Sequence, residues 1–251
     1  MKGVIAGFAT AICWSMLSIL LKFALLYTTP SSVLTYRMIV AFGLLFFVGY
    51  LKGAFKNISF NEVFDPKLCL MGCLLSGQFI GFIQGVRYTN PENAQVLIQF
   101  GPFLTVVLGL LFFRERISRF QIIGFLFLIL GSYLFFSEQV RLANHHDSLL
   151  KGSVCVLLGA ISWAFYAVLQ KILAKKYSIL FMNTHTYAIS VLLFLPFINL
   201  DSLIQMPLNG HIFLFSIGLN TIFSYGFLSI ALKHTPMSVI SPILIMNPIL
   251  T

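Results

Sequence analysis

Acidic residues are scarce: there are seven in 251, against sixteen lysines and arginines. All seven (Glu62, Asp65, Glu92, Glu115, Glu138, Asp147 and Asp201) fall between or at the ends of long apolar runs. That distribution excludes several chemistries. An intramembrane aspartyl protease needs two facing carboxylates, and no His and Glu pair has metalloprotease spacing. A carboxylate relay across a membrane is also missing, which disfavours tight proton coupling by Asp or Glu. No catalytic residue is assigned, and the chain is not expected to be an enzyme. Cysteine is scarce too. Cys13, Cys69, Cys73 and Cys155 all lie inside apolar runs, which excludes a secreted disulfide framework and leaves them as small packing groups. Cys69 and Cys73 share a helical face but lack further ligands nearby, and His145, His146 and Asp147 read as a solvated turn. Neither a metal nor a cofactor is expected.

What remains is apolar. Hydrophobic residues make up 59% of the chain, charged residues 9%, and the mean hydropathy is +0.95. Such a chain is solvated by lipid rather than water. The charges divide it into uncharged windows close to the roughly 20 residues that a helix needs to cross a bilayer: 3–21, 68–86, 93–113, 120–137, 152–170, 177–200, 202–232 and 234–251. A ninth span, Val33 to Leu51, requires taking Arg37 inside it. The first window follows Lys2 and runs through Trp14 to Lys22 without a small-residue cleavage site, so it is read as a retained span. The longest connection is "KGAFKNISFNEVFDPK", between spans 2 and 3.

With the N-terminus in the cytoplasm, eleven cations fall on that side: Lys2, Lys52, Lys56, Lys67, Arg114, Arg116, Arg119, Lys171, Lys175, Lys176 and Lys233. Lys22, Arg87, Arg141 and Lys151 fall on the other. The positive-inside rule thus gives a cytoplasmic N-terminus, and a bacterial inner (plasma) membrane is the expected location. The net charge of +9 is spread over loops and needs no nucleic-acid partner. The expected partners are the lipid bilayer and a small-molecule substrate; a homodimer stays open.

The chain repeats itself. Lys2, Gly3, Ala11, Ile12, Trp14 and Lys22 recur at one constant spacing as Lys151, Gly152, Ala160, Ile161, Trp163 and Lys171. "GPFLT" (101–105) recurs as "NPILT" (247–251), and the same spacing pairs Arg87 with Lys233 and Gln78 with Ser224. The copies start five spans apart. Five is odd, so they enter the membrane in opposite directions, as in the inverted repeats of secondary transporters. The fold expected is an all-α polytopic membrane protein built from two inverted five-helix halves. Residues 1–137 form the first repeat, 138–150 the inter-repeat loop and 151–251 a second repeat of four spans. The first half has a fifth span that the second lacks, so a ten-span protein is expected, with about 30 residues, one span and its turn, absent from this chain.

The stretch "RYTNPENAQVLIQFGPFLTVVLGLLFFRERIS" resembles the fourth span of the EamA-like branch of the drug/metabolite transporter superfamily. It has a polar turn, a span with central proline and an arginine-glutamate pair at its end. The repeated span with central Trp14 or Trp163 and terminal Lys22 or Lys171 is similar to the start of each EamA half, and Arg37 matches the arginine typical of its second span. The resemblance covers essentially the whole chain. It implies ten helices around a central cavity lined mainly by spans 3, 4, 8 and 9, with help from 1 and 6. It also implies export or exchange of amino acids and other small metabolites, or uptake of adenosylated or nucleotide-type solutes. This sequence lacks an acidic counterpart of Glu115. A non-transporting remnant or assembly subunit is the alternative that the early stop suggests, and an intramembrane enzyme is the other.

Candidate site residues follow from polarity in apolar windows. Gln95, Gln99 and Pro102 are spaced i, i+4, i+7 and share one helical face, and polar groups in lipid are costly unless that face meets protein or water. Pro102 frees the carbonyl of Ile98, and Pro248 is its copy. Plain helix-helix gluing is the alternative, at an average of about 0.6 kcal/mol per hydrogen bond. Gln78, its copy Ser224, Asn220 one turn earlier, and Ser241 on the copied span are further pathway candidates. Gly77, Gly81 and Gly85, four apart, read as a packing seam, and Gln84 as structural. Trp14 and Trp163 lie mid-span rather than at the interfaces, so they are candidate cavity walls, with Tyr166 and Gln170 continuing the face of Trp163. Arg37, if it faces a cavity, would favour a substrate carboxylate or phosphate. It could instead snorkel, and His185 reads as hydrogen-bonded to its neighbours.

Overall fold

The computed structural model describes residues 1–56, 58–142 and 146–246, so Pro248, the NPILT copy and His145 lie outside the described residues. The described residues form helices and connecting turns with no strand. Among the described residues, eight helical segments are long and apolar enough to cross a membrane, and the chain is an all-α polytopic integral membrane protein.

Proline-containing turns start several of the helices. Thr29-Pro30 opens α2 (Pro30–Leu51) after α1 (Lys2–Ala24), with the Thr29 side chain accepting from the Ser32 amide. The connection to the next span holds a single helical turn, α3 (Phe60–Val63), closed by a reciprocal box between Ser59 and Glu62. Asp65-Pro66 then opens α4 (Pro66–Tyr88), and Asn90-Pro91 opens α5 (Pro91–Ile98). In each of these three starts a short polar side chain caps a free amide, and proline sits where no N–H is needed. The fourth span is interrupted at Gln99 and resumes as α6 (Phe100–Phe113). Pro102 has no N–H to give the carbonyl of Ile98, so the break falls where the sequence predicts. The chain continues through α7 (Arg119–Leu142), α8 (His146–Leu173) and α9 (Ile179–Phe194). The uncharged windows 177–200 and 202–232 resolve differently from their charge boundaries. A 3-10 turn at Leu195–Phe197 and a short α10 (Leu200–Ile204) precede the spanning α11 (Leu208–His234), because Pro196 and Pro207 end the apolar runs earlier than any charge does. Last comes α12 (Met237–Ile245).

The most extensive helix contacts all join one half of the chain to the other: α4 with α8, α1 with α11, α2 with α9 and α6 with α8. The halves therefore interleave. The glycine seam explains the closest of these contacts. A Cβ on Gly81 would stand 2.5 Å from the Cys155 carbonyl oxygen and 2.8 Å from the Gly159 Cα, so the α4 and α8 backbones touch there. At the other extreme α7 stands at the rim, with 11% of its apolar stretch buried within the bundle.

Candidate functional site

A cavity of about 870 Å³ opens between the halves. The first half supplies Trp14, Arg37, Gln78, Gln95, Gln99 and Pro102 to its wall, and the second supplies Trp163, Phe194, Tyr225 and Leu244. The break at Gln99 lies in this wall, where irregular backbone in a membrane protein can be tolerated. Thr29, Pro30, Ser31 and Arg87 also line the cavity. These residues sit at the α1–α2 and α4–α5 turns, so the cavity reaches the membrane face remote from the N-terminus.

Copies of the repeat meet inside it. The rings of Trp14 and Trp163 lie edge to face with centroids 5.8 Å apart, and Trp14 meets Tyr225 at 6.1 Å. Phe79 meets Tyr225 at 6.2 Å, and the spacing that pairs Gln78 with Ser224 pairs these two as well. Edge-to-face geometry is favoured for aromatic rings, so the wall is both apolar and rigid.

At the opposite membrane face an ion pair joins the two halves. Lys171 Nζ stands 2.8 Å from Glu115 Oε1, with the side chains 14% and 8% exposed. The Met237 and Ser238 amides donate to the two oxygens of the same carboxylate at 3.0 and 2.8 Å, and Lys171 also donates to the Thr235 carbonyl at 3.0 Å. One carboxylate at the end of the fourth span thus caps the start of α12 and pairs with the end of α8. Arg114 makes this reach feasible: among the described residues it is the one non-glycine residue with positive φ, 53°, and it turns the chain back toward α12. Left-handed backbone at a non-glycine residue is stored strain of the kind found at functional positions. Burial pushes the Glu115 carboxyl up, but the Lys171 ammonium and the Ser238 and Met237 amides outweigh it and hold the group below the usual carboxylate range.

Of the residues singled out in the sequence, the structure gathers Trp14, Arg37, Gln78, Gln95, Gln99, Pro102 and Trp163 around the cavity. Gln84, read as structural, joins them. Four others stand behind the wall. Asn220 donates to the Cys13 carbonyl at 2.8 Å and ties α11 to α1. Ser224 is fully buried and donates to the Thr221 carbonyl. Tyr166 and Ser241 are fully buried. His185 bonds the Val63 carbonyl at 2.7 Å, in keeping with its reading as a neighbour-bound histidine.

Arg37 does not snorkel. Its helix begins at Pro30, about two turns before it, and the side chain is 2% exposed. Its Nε donates to Thr221 Oγ1 at 3.1 Å, and its guanidinium carbon lies 4.6 Å from the centre of the Phe79 ring. On α11 the polar candidates are Asn220 and Ser224, whereas Tyr225, one position on, lines the cavity and Thr221 accepts from Arg37 behind it. The copied aromatic pair Phe79 and Tyr225 was the signal that could have set this register.

Comparison with known proteins accords with this architecture. The model described as "EamA-like transporter family" matches residues 1–137 and 150–251. The chain is similar to an "Uncharacterized transporter" of Haemophilus influenzae, 26% identical over 245 residues, covering 96% of this chain and 79% of that one. It is likewise similar to the "Uncharacterized inner membrane transporter YhbE" of Escherichia coli K12, 27% identical over 259 residues, covering 99% and 78%. A solved crystal structure shares the fold with a TM-score of 0.74 at 18% identity, over 99% of this chain and 85% of that one.

Proposed function

Because the chain belongs to the EamA-like transporter family, we propose that it is a secondary permease or exchanger that moves a small polar or amphipathic metabolite, such as an amino acid or related compound, by alternating access. One observation carries this reading: a cavity between the halves reaches one membrane face, while Glu115 and Lys171 join the halves at the other. That is the shape of one end state of an alternating-access cycle, in which a fixed central site is exposed to each face in turn. The interleaved halves refine the expected motion. The moving bodies combine helices from both repeats, since α4 with α8 and α1 with α11 are too closely packed to part. Under the positive-inside orientation the cavity faces the exterior and the ion pair lies at the cytoplasmic end. The inner membrane is the proposed location, in line with the name of the E. coli relative.

Gln78 and Gln99 supply neutral hydrogen-bonding groups at the cavity, and the buried Gln78 Oε1 has no partner among the described residues. A substrate donor that occupies it removes a desolvation cost of about 1–3 kcal/mol. Gln78→Leu and Gln99→Leu should therefore keep expression and lose flux when a panel of radiolabelled amino acids and related metabolites is tested in proteoliposomes. Wild-type flux in both variants would sink the site assignment.

A further inference from the structure

We propose that Arg37 is the anion subsite of the cavity and receives a carboxylate of the solute. The setting rests on the transport reading above, and the chemistry rests on the charge of the site itself. Arginine stays protonated in any protein environment, and a buried cation without a counter-charge is costly. Arg37 is 2% exposed, yet no carboxylate pairs with it. Among the described residues, which include all seven acids, the ion pairs are Arg141 with Glu138, Lys171 with Glu115 and Lys176 with Asp65. The cavity wall contains no aspartate or glutamate, while a second cation, the exposed Arg87, stands where the cavity meets the membrane face. Two cations and no acid give the cavity a positive field that draws anions inward.

The guanidinium is also held in a fixed orientation. Thr221 gives its hydroxyl proton to the Ile217 carbonyl at 2.8 Å, so its oxygen is left as an acceptor, and Arg37 Nε donates to it at 3.1 Å. The guanidinium carbon lies over the Phe79 ring. Nη2 finds no partner among the described residues. One edge of the fork is thus anchored, and the buried Nη2 is left to be met by an oxygen of the solute, the arrangement in which arginine recognises planar oxyanions. A single guanidinium with one edge already engaged suits the single charge of a carboxylate better than a phosphate dianion. The rings of Trp14, Trp163 and Tyr225 give the remainder of the solute an apolar wall. The ligand class is therefore a monocarboxylate with an apolar or aromatic body.

The protein carries its own reporter, because its two tryptophans, Trp14 and Trp163, both line this cavity. The full chain in lipid nanodiscs would be titrated with hydrocinnamate, its neutral amide hydrocinnamamide, and phenethylphosphonate, with tryptophan fluorescence as readout. The wild-type protein should bind the acid about tenfold or more tighter than the amide, as a charge-assisted hydrogen bond implies. Arg37→Gln should abolish that preference, and Arg37→Lys should restore part of it. The acid-amide comparison needs no substitution, so it decides the matter even if a variant fails to fold. Equal binding of acid and amide, a preference that survives Arg37→Gln, tighter binding of the phosphonate, or no saturable signal from carboxylates ranging from acetate to hydrocinnamate would each overturn the proposal. The two readings separate cleanly. Arg37-dependent binding without flux in proteoliposomes keeps the subsite and removes transport; flux of neutral solutes without carboxylate binding does the reverse.

Discussion

Tyr225 holds the cavity wall together. Its ring meets Trp14, Phe79, Tyr166 and Tyr187 at centroid distances of 6.1, 6.2, 6.0 and 6.5 Å, and it is 3% exposed. Truncating such a residue loses burial and leaves a void, at about 3–5 kcal/mol. Tyr225→Ala is expected to lower the thermal midpoint in detergent and to shift tryptophan emission, whereas Tyr225→Phe keeps the ring and should stay within about 1 kcal/mol of wild type. Thr221→Val should be felt differently: it strips Arg37 of its one side-chain acceptor, costing about 1–3 kcal/mol, and should loosen carboxylate binding in the same titration. Much of this wall was readable from polarity alone. Arg37, Gln78, Gln95 and Gln99 were conspicuous because they are expensive in lipid. Tyr225 was not, since an aromatic in an apolar span carries no such cost. Asn220 and Ser224, equally polar, stand behind the wall and give their hydrogen bonds to backbone carbonyls.

At the scale of elements, the seam between α4 and α8 makes the sharpest claim. Gly81→Ala would press a methyl group against backbone atoms of α8 that cannot yield, an overpacking cost of about 1–3 kcal/mol. Gly124, on the rim helix α7, has nothing within 4 Å of where a Cβ would stand. Gly124→Ala should therefore gain about 1 kcal/mol from helix propensity. Opposite shifts of the melting midpoint would support the seam; equal shifts would not. The sequence announced this seam through glycines four apart, and announced helix starts through Thr29-Pro30, Asp65-Pro66 and Asn90-Pro91. It hid the end of the seventh span, because the uncharged windows there run on past Pro196 and Pro207, which terminate helices without bearing charge.

For the whole molecule the decisive feature is the asymmetry between an open face and a tied one. The tie depends on pH in one direction. A carboxyl held below its usual range stabilises the native state fully above the ordinary glutamate value of about 4.3, and that contribution is lost as pH falls through the lowered one. Sidedness should therefore be unchanged between about pH 6 and 8 and should fail only in stronger acid. The sequence showed that Glu115 lacks an acidic copy, but not that it spans to Lys171 and the start of α12, because that contact joins positions far apart in the chain and depends on the left-handed turn at Arg114.

Sidedness itself is the measurement that tests the account most directly. In a background with the native cysteines replaced, Gln99→Cys would be exposed to a membrane-impermeant thiol reagent from each face in turn, with Glu115 intact and with Glu115→Gln. The account predicts labelling only from the face remote from the N-terminus when Glu115 is intact, and new labelling from the other face when the ion pair is removed. Labelling from both faces with Glu115 intact, or an identical pattern in the two proteins, would contradict it.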